Sequence, residues 1–206
     1  MSLSNYTDLQ ASIASYLARS DLTAMIPDFI RMAELRLRRE LRIRQMLKVA
    51  TTTAVAGDST VALPSDFLQI RDLHLATNPT GSLEYQSPTN LFRNARTTES
   101  GMPKMYTVLA QDFQFAPIPD SNYAINMLYY ATPAFLSSTV PTNAFIDTCP
   151  DLLLYASLGE AESYLMNDPR LQTWASLYDR GLSALSTSDD QGEYGGSPLS
   201  ITIARR

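Results

Sequence analysis

The apolar residues of this chain change period twice along its length, and that change limits the folds open to it. Leu9, Ile13, Tyr16 and Leu17 recur at i, i+4, i+7 and i+8, one face of a helix. Phe29, Ile30, Ala33, Leu37 and Leu41 form a second apolar arc at the helical spacing of about 100° per residue. From about Lys48 the period falls to two: Val49, Thr51, Thr53 and Val55 alternate, and Val61 and Leu63 continue beyond Ala56-Gly57-Asp58-Ser59, predicting a hairpin. Helical spacing returns after Asp147-Thr148-Cys149-Pro150, with Leu154, Leu158, Ala161 and Leu165. This order predicts an α+β fold. Helices from both chain ends should form an antiparallel bundle, with an antiparallel β-rich lobe inserted between them and an extended tail after them.

Local punctuation places the boundaries. Thr7 and Gln10 have the spacing of a capping box and predict a helix over 7–19. Pro27 and Pro150 suit the first turns of helices, and Asp168-Pro169 predicts the start of another, in which Leu171, Trp174, Tyr178 and Leu185 share a face. Within the β segment, Leu68–Leu75 slips phase between Ile70 and Leu73, which predicts a bulge. Ser87–Arg93 reads as a short capped helix, Met105–Ala110 with Phe113–Ala116 as a strand pair, and Tyr123–Ala131 as a further strand. The resulting division is N-terminal helices 1–47, β-rich lobe 48–135, C-terminal helices 136–187 and extended tail 188–206. In that tail Leu199, Ile201 and Ile203 alternate with Ser200 and Thr202, a strand with no local partner, so these three are candidate interface residues.

Charge separates the segments further. The 206 residues carry a net charge of −5, yet residues 31–48 hold seven cations against Glu34 and Glu40, a band of +5 within a remainder of −10. Arg31, Arg38 and Arg42 fall in a narrow stripe opposite the apolar arc. Arginine suits phosphate recognition, so a nucleic-acid-binding helix over 26–44 is one reading. The pI near 4.8 and the lack of interleaved aromatics oppose it. A solvated helix face and a subunit interface are the others. At 45% hydrophobic and 18% charged the chain is expected to be ordered. No apolar run approaches the ~18 residues of a membrane span, and Met1–Asp8 lacks the pattern of a signal peptide. With Cys149 alone, no intrachain disulfide is expected and a reducing compartment fits, where the sequon Asn5-Tyr6-Thr7 carries no meaning.

Residues that could do chemistry are few. His74, the single histidine, sits between Leu73 and Leu75 on a predicted strand and should lie at the rim. Cys149, beside a helix start, could have a lowered pKa, although a small residue near a cap is the plainer reading. One Cys and one His cannot build a structural zinc site. Glu160 and Glu162 lie about 200° apart on a helix and cannot pair on one face. Trp174 and Tyr155, Tyr164 and Tyr178 stand at core spacing. No catalytic, cofactor-binding or metal-ligating residue is assigned, and an enzyme is not expected.

Four stretches in order resemble the head-to-tail adaptor (connector) proteins of tailed bacteriophages, particularly those of short-tailed phages. They are Leu9–Leu17 with Ile26-Pro27-Asp28-Phe29-Ile30-Arg31-Met32-Ala33-Glu34 and Leu37–Leu41; Leu63-Pro64-Ser65-Asp66-Phe67-Leu68; Gly101-Met102-Pro103-Lys104-Met105-Tyr106 leading to Phe115–Asp120 and Leu128-Tyr129-Tyr130; and Asp151–Glu162 with the helix after it. The resemblance implies a non-enzymatic virion protein at the head-tail junction, assembled in the host cytoplasm and free of cofactors. It implies a ring of twelve copies beneath the portal, extending the channel for double-stranded DNA in packaging and ejection and offering a platform to nozzle or fibre-attachment proteins. A ring needs two different faces that meet, which the Arg31/Arg38/Arg42 stripe and an acidic remainder could supply. A minor tail or tail-fibre-attachment component is the alternative within the same class.

Overall fold

The computed structural model describes residues 3–77, 81–94, 99–165 and 170–194. The chain forms α1 (Tyr6–Leu17) and α2 (Ile26–Glu40), then β1 (Leu47–Ala54), β2 (Thr60–Ala62), β3 (Phe67–Leu75), β4 (Gly81–Ser82) and β5 (Glu84–Tyr85). There follow α3 (Pro88–Asn94), β6 (Ser100–Gly101), β7 (Met105–Leu109), β8 (Asp112–Ala116), β9 (Ile118–Pro119) and β10 (Tyr123–Ala131). The last elements are α4 (Ala144–Thr148), α5 (Pro150–Leu165) and α6 (Leu171–Tyr194). The protein is mixed α+β. Its contacts divide into two compact units, residues 1–45 with 133–206 and residues 46–132.

The helical unit is organised around α5, which packs on α1, α2, α4 and α6. A helix touched from several sides should be apolar on more than one face, and Leu152, Leu153, Leu154, Ala156, Leu158 and Ala161 are all buried. The arc read on α2 is the buried one: Phe29, Ile30, Ala33, Leu37 and Leu41 are each at most 3% exposed. Pro27 stands in the first turn of α2, where its missing N–H costs nothing. The capping box at Thr7 and Gln10 does not start α1. Asn5 does, accepting from the Asp8 backbone N–H at 2.9 Å, because the helix begins two residues earlier than the motif implies. At the other end α6 runs through Asp189-Asp190 to Tyr194, where the sequence predicts an extended tail from 188. Asp189 accepts from Arg44 Nε at 3.0 Å, a tertiary anchor that keeps these polar turns helical. The predicted helix start at Asp168-Pro169 and the strand Leu199–Ile203 lie outside the described residues.

The β unit holds two four-stranded sheets, ordered β1-β10-β3-β4 and β2-β8-β7-β5, and the ribbon β6-β9. The hairpin predicted across Ala56–Ser59 does not form as a strand pair. The turn exists, with Gly57 at φ 81° and Asp58 N–H donating to Val55 C=O at 3.1 Å, but β1 leaves it to pair with β10 and β2 to pair with β8. Nor is the lobe wholly antiparallel: β5–β7 and β6–β9 are short parallel pairs. The bulge falls where the phase slip put it, since Leu128 opposes Asp72 while Tyr129 opposes Ile70, leaving Arg71 as the extra residue. The core is apolar and aromatic, with the Phe113 ring 5.8 Å from Phe67, 5.9 Å from Tyr106 and 6.3 Å from Phe115.

Candidate assembly surface

The basic stripe of α2 is only partly a solvent-facing surface. Arg31 and Arg38, two turns apart, set their guanidinium carbons 2.9 and 3.2 Å from the centroid of the Phe135 ring. Two cations that close to one centroid cannot share a face of the ring, so they flank it from both sides. Arg38 also donates to the Pro133 carbonyl. Beneath them Glu34, 1% exposed, accepts from the Leu136 backbone N–H at 2.9 Å and from Asn143 Nδ2 at 2.7 Å, both on Oε1. Asn143 is a junction: its Nδ2 also donates to the Ala134 carbonyl at 2.8 Å, while its Oδ1 caps α4 by accepting from Phe145 N and Ile146 N. Residues 133–143 are thereby laced onto α2.

Electrostatics follow burial. Desolvation pushes the Glu34 carboxyl above its usual range, opposed by the Leu136 and Asn143 hydrogen bonds and the charges of Arg38 and Arg31. Desolvation pulls Arg38 down, which Glu34 offsets in part. Arg42 takes another course. Its Nη1 donates to the carbonyls of Leu41 at 2.5 Å and Arg38 at 2.9 Å, so its charge complements the C-terminal end of α2. Arg36 pairs with Glu40 at 3.1 Å and lies over the Tyr178 ring at 4.1 Å, and the Tyr178 hydroxyl donates to Glu40. Burial, then that bond, raises the Tyr178 pKa. Beside these residues an open groove of about 580 Å³ runs between Glu40–Ile43 and the Leu182, Ser183, Ser186, Asp189 and Asp190 side of α6.

The candidates for chemistry fall elsewhere. His74 is half-buried at the rim of β3, with Nδ1 3.0 Å from Asp72. Cys149 caps the C-terminal end of α4, is 2% exposed, and has its thiol pushed up to about 12 by burial and then by Asp151; the low pKa considered for it is not found. Glu162 is buried, with Arg170 Nη2 at 3.2 Å, whereas Glu160 is half-buried. No cluster of metal-ligating side chains occurs among the described residues. Trp174 lies edge-on to Tyr16 at 5.7 Å and stacked on Tyr155 at 6.2 Å, and Tyr178 is buried, all within the helical unit. Tyr164 is 57% exposed although its ring lies 5.8 Å from Phe29. Sequence reasoning overlooked Phe135, Glu34 and Asn143. The available signal was a lone aromatic, Phe135, next to Leu136 in the segment between Pro133 and Pro141.

The helices of both chain ends, the β segment between them and the loop binding α2 are all spanned by one family match, that of the SU10 adaptor protein, over residues 4–202. The chain belongs to that family. It is a structural adaptor of a bacteriophage, of the kind that stands at the head-tail junction of the virion and interacts with portal and tail proteins. A search of curated proteins gives no match. No helix of this adaptor, among the described residues, is long and apolar enough to cross a membrane.

Proposed function

We propose that this adaptor assembles as a dodecameric ring beneath the portal of a short-tailed phage, extends the DNA channel and gives tail proteins their docking platform. The helices of the two chain ends form its antiparallel bundle, and double-stranded DNA passes without sequence-specific binding. The family match from residue 4 to residue 202 carries this reading, because it covers both units and not one of them. A net charge of −5 agrees with a passage that does not grip phosphates. The internal use of Arg31 and Arg38 weakens the nucleic-acid alternative, since a guanidinium stacked on Phe135 has less to offer a phosphate.

The stripe Arg31, Arg38 and Arg42 is the proposed subunit interface, with divided roles. Arg31 and Arg38 hold Phe135 and shape the surface; Arg42, at the helix end, presents charge to an acidic face of the next copy. Leu199, Ile201 and Ile203 are proposed to add as a strand to a sheet edge of a neighbour or of the portal. Mass measurement of the protein alone and with a portal ring is the test. The expected result is a small species that becomes a multi-copy ring on the portal; a chain that stays unassembled there overturns the reading. Arg42→Glu should reduce ring formation at low salt while leaving the circular dichroism spectrum unchanged.

A further inference from the structure

We infer that the outer edge of β1 is the acceptor for a strand donated by a second copy of this chain, namely Leu199-Ser200-Ile201-Thr202-Ile203. The inference rests on the ring reading and specifies how neighbouring copies in the ring would be joined.

The edge is unusual in its length and its regularity. β1 ends the sheet order β1-β10-β3-β4, and among the described residues nothing pairs with its other side. It runs opposite β10 through eight consecutive pairs, from Leu47↔Tyr130 to Ala54↔Tyr123, without a bulge. The other edge strands among the described residues are β2, of three residues, and β4, β5, β6 and β9, of two each. Edges left open invite pairing, and proteins usually blunt them with proline, bulges or inward charges. β1 has no proline, and its one charge, Lys48, sits at the end and turns to Asp66 at 2.5 Å. Five residues of added strand need about 16 Å, well within the reach of an eight-residue edge.

The side chains specify what kind of strand fits. On one face of β1, Val49, Thr51 and Thr53 are exposed, Val49 at 75%. On the other, Ala50 and Thr52 are half-buried and Ala54 fully buried, with Ala50 packed against the aromatic core. The core face at this edge is therefore lined by small residues and only partly covered. An adjoining strand should carry apolar residues on that side and polar ones on the other. Leu199, Ile201 and Ile203 supply the first set, Ser200 and Thr202 the second. Donor and acceptor are different surfaces of one molecule, so the contact is head-to-tail and propagates around a ring.

The test uses full-length chains, each with one new cysteine, mixed on portal rings and mildly oxidised. Cys149 is buried and stays silent. Chains with Ala50→Cys are mixed with chains carrying Leu199→Cys, Ile201→Cys or Ile203→Cys. At least one pair should give an interchain disulfide with a yield about tenfold above Ser200→Cys and Thr202→Cys, whose side chains leave from the opposite face. Adding Ile201→Glu to Leu199→Cys and Ile203→Cys chains should abolish the bond. No disulfide from any pair, or equal yields from both faces, overturns the inference. So does a bond found only within one chain when both cysteines are placed in it. Mass measurement on the same samples separates the two levels. A ring without the cross-link removes the strand exchange alone, and a cross-link without a ring removes the ring while the exchange stands.

Discussion

The two units of this adaptor stabilise themselves by different means. Among the described residues, the buried polar side chains Ser12, Glu34, Asn143, Ser157 and Glu162 belong to the helical unit and Thr107 alone to the β unit. The helical unit is assembled from both ends of the chain, and polar junctions fix how the returning segment meets α2. The β unit is contiguous in sequence and closes around rings and aliphatic side chains. A buried polar junction whose donors are paired, as Leu136 N–H and Asn143 Nδ2 are on Glu34, favours one arrangement, because any other leaves those donors without an acceptor. An apolar core supplies more free energy with less directional demand. Both units bury an apolar core, and the part assembled from distant segments adds to its own core the specific polar contacts that the continuous part largely lacks.

The largest expected effect is in the β core. Phe113 is fully buried among Phe67, Tyr106 and Phe115, so Phe113→Ala should cost about 3–5 kcal/mol. The protein's single tryptophan, Trp174, lies in α6 and reports on the helical unit alone. Denaturant unfolding followed by far-UV circular dichroism should show the β transition moved to lower urea, while Trp174 fluorescence keeps its midpoint. Equal shifts by both probes would show that the units unfold as one and would dissolve the contrast.

The next effect is in the polar junction. Glu34→Ala leaves the Leu136 N–H and Asn143 Nδ2 without their acceptor and should cost about 1–3 kcal/mol, whereas Glu34→Gln keeps an acceptor and should cost less. The same unfolding titrations, repeated across pH, should separate the units by sign. The folded-state pKa of Glu34 is raised by burial, so its contribution is full at acid pH and is lost as pH rises through that folded value. Asp66 in the β unit is the reverse. Its pKa is lowered by the bond from Lys48, with a smaller contribution from Tyr129, so its contribution is present above the unfolded carboxylate value and is lost as pH falls through the folded one. Glu34→Gln should remove the decline on the rising side and Asp66→Asn the decline on the acid side. If either variant alters the opposite side, the assignment fails.

How much of this was legible depended on the range of the interaction. The α2 arc could be read because periodicity is local and its buried face is continuous. The Arg71 bulge could be read because an extra residue leaves a phase slip in the strand's own sequence. The β1–β2 hairpin was misread because alternation shows that a strand has two faces but does not name its partner, and β10 lies about seventy residues away. The end of α6 was misread because acidic and glycine residues look unstructured until Arg44, 145 positions earlier, supplies the partner for Asp189. Arg31 and Arg38 were correctly placed on one stripe, but the ring between them comes from a segment about a hundred residues downstream. Charge patterning locates a cation and leaves open what it stacks upon.

The smallest effects expected, near 1 kcal/mol, contrast one glycine from each unit. In the β unit, Gly57 turns the chain at φ 81° with nothing within 4 Å of where a Cβ would stand, so Gly57→Ala is opposed by backbone conformation alone. In the helical unit, Gly181 has ordinary helical geometry, but a Cβ there would come 2.7 Å from Leu152 Cδ2, so Gly181→Ala is opposed by the close packing of α6 on α5. Thermal unfolding should show both alanine variants modestly destabilised, and asparagine tells the causes apart. Asn tolerates the left-handed conformation, so Gly57→Asn should recover most of the loss. It is bulkier than alanine, so Gly181→Asn should lose more than Gly181→Ala. If Gly181→Asn were instead the milder change, α6 would not be pressed against Leu152, and the helical unit would share the loose tolerance of a surface turn.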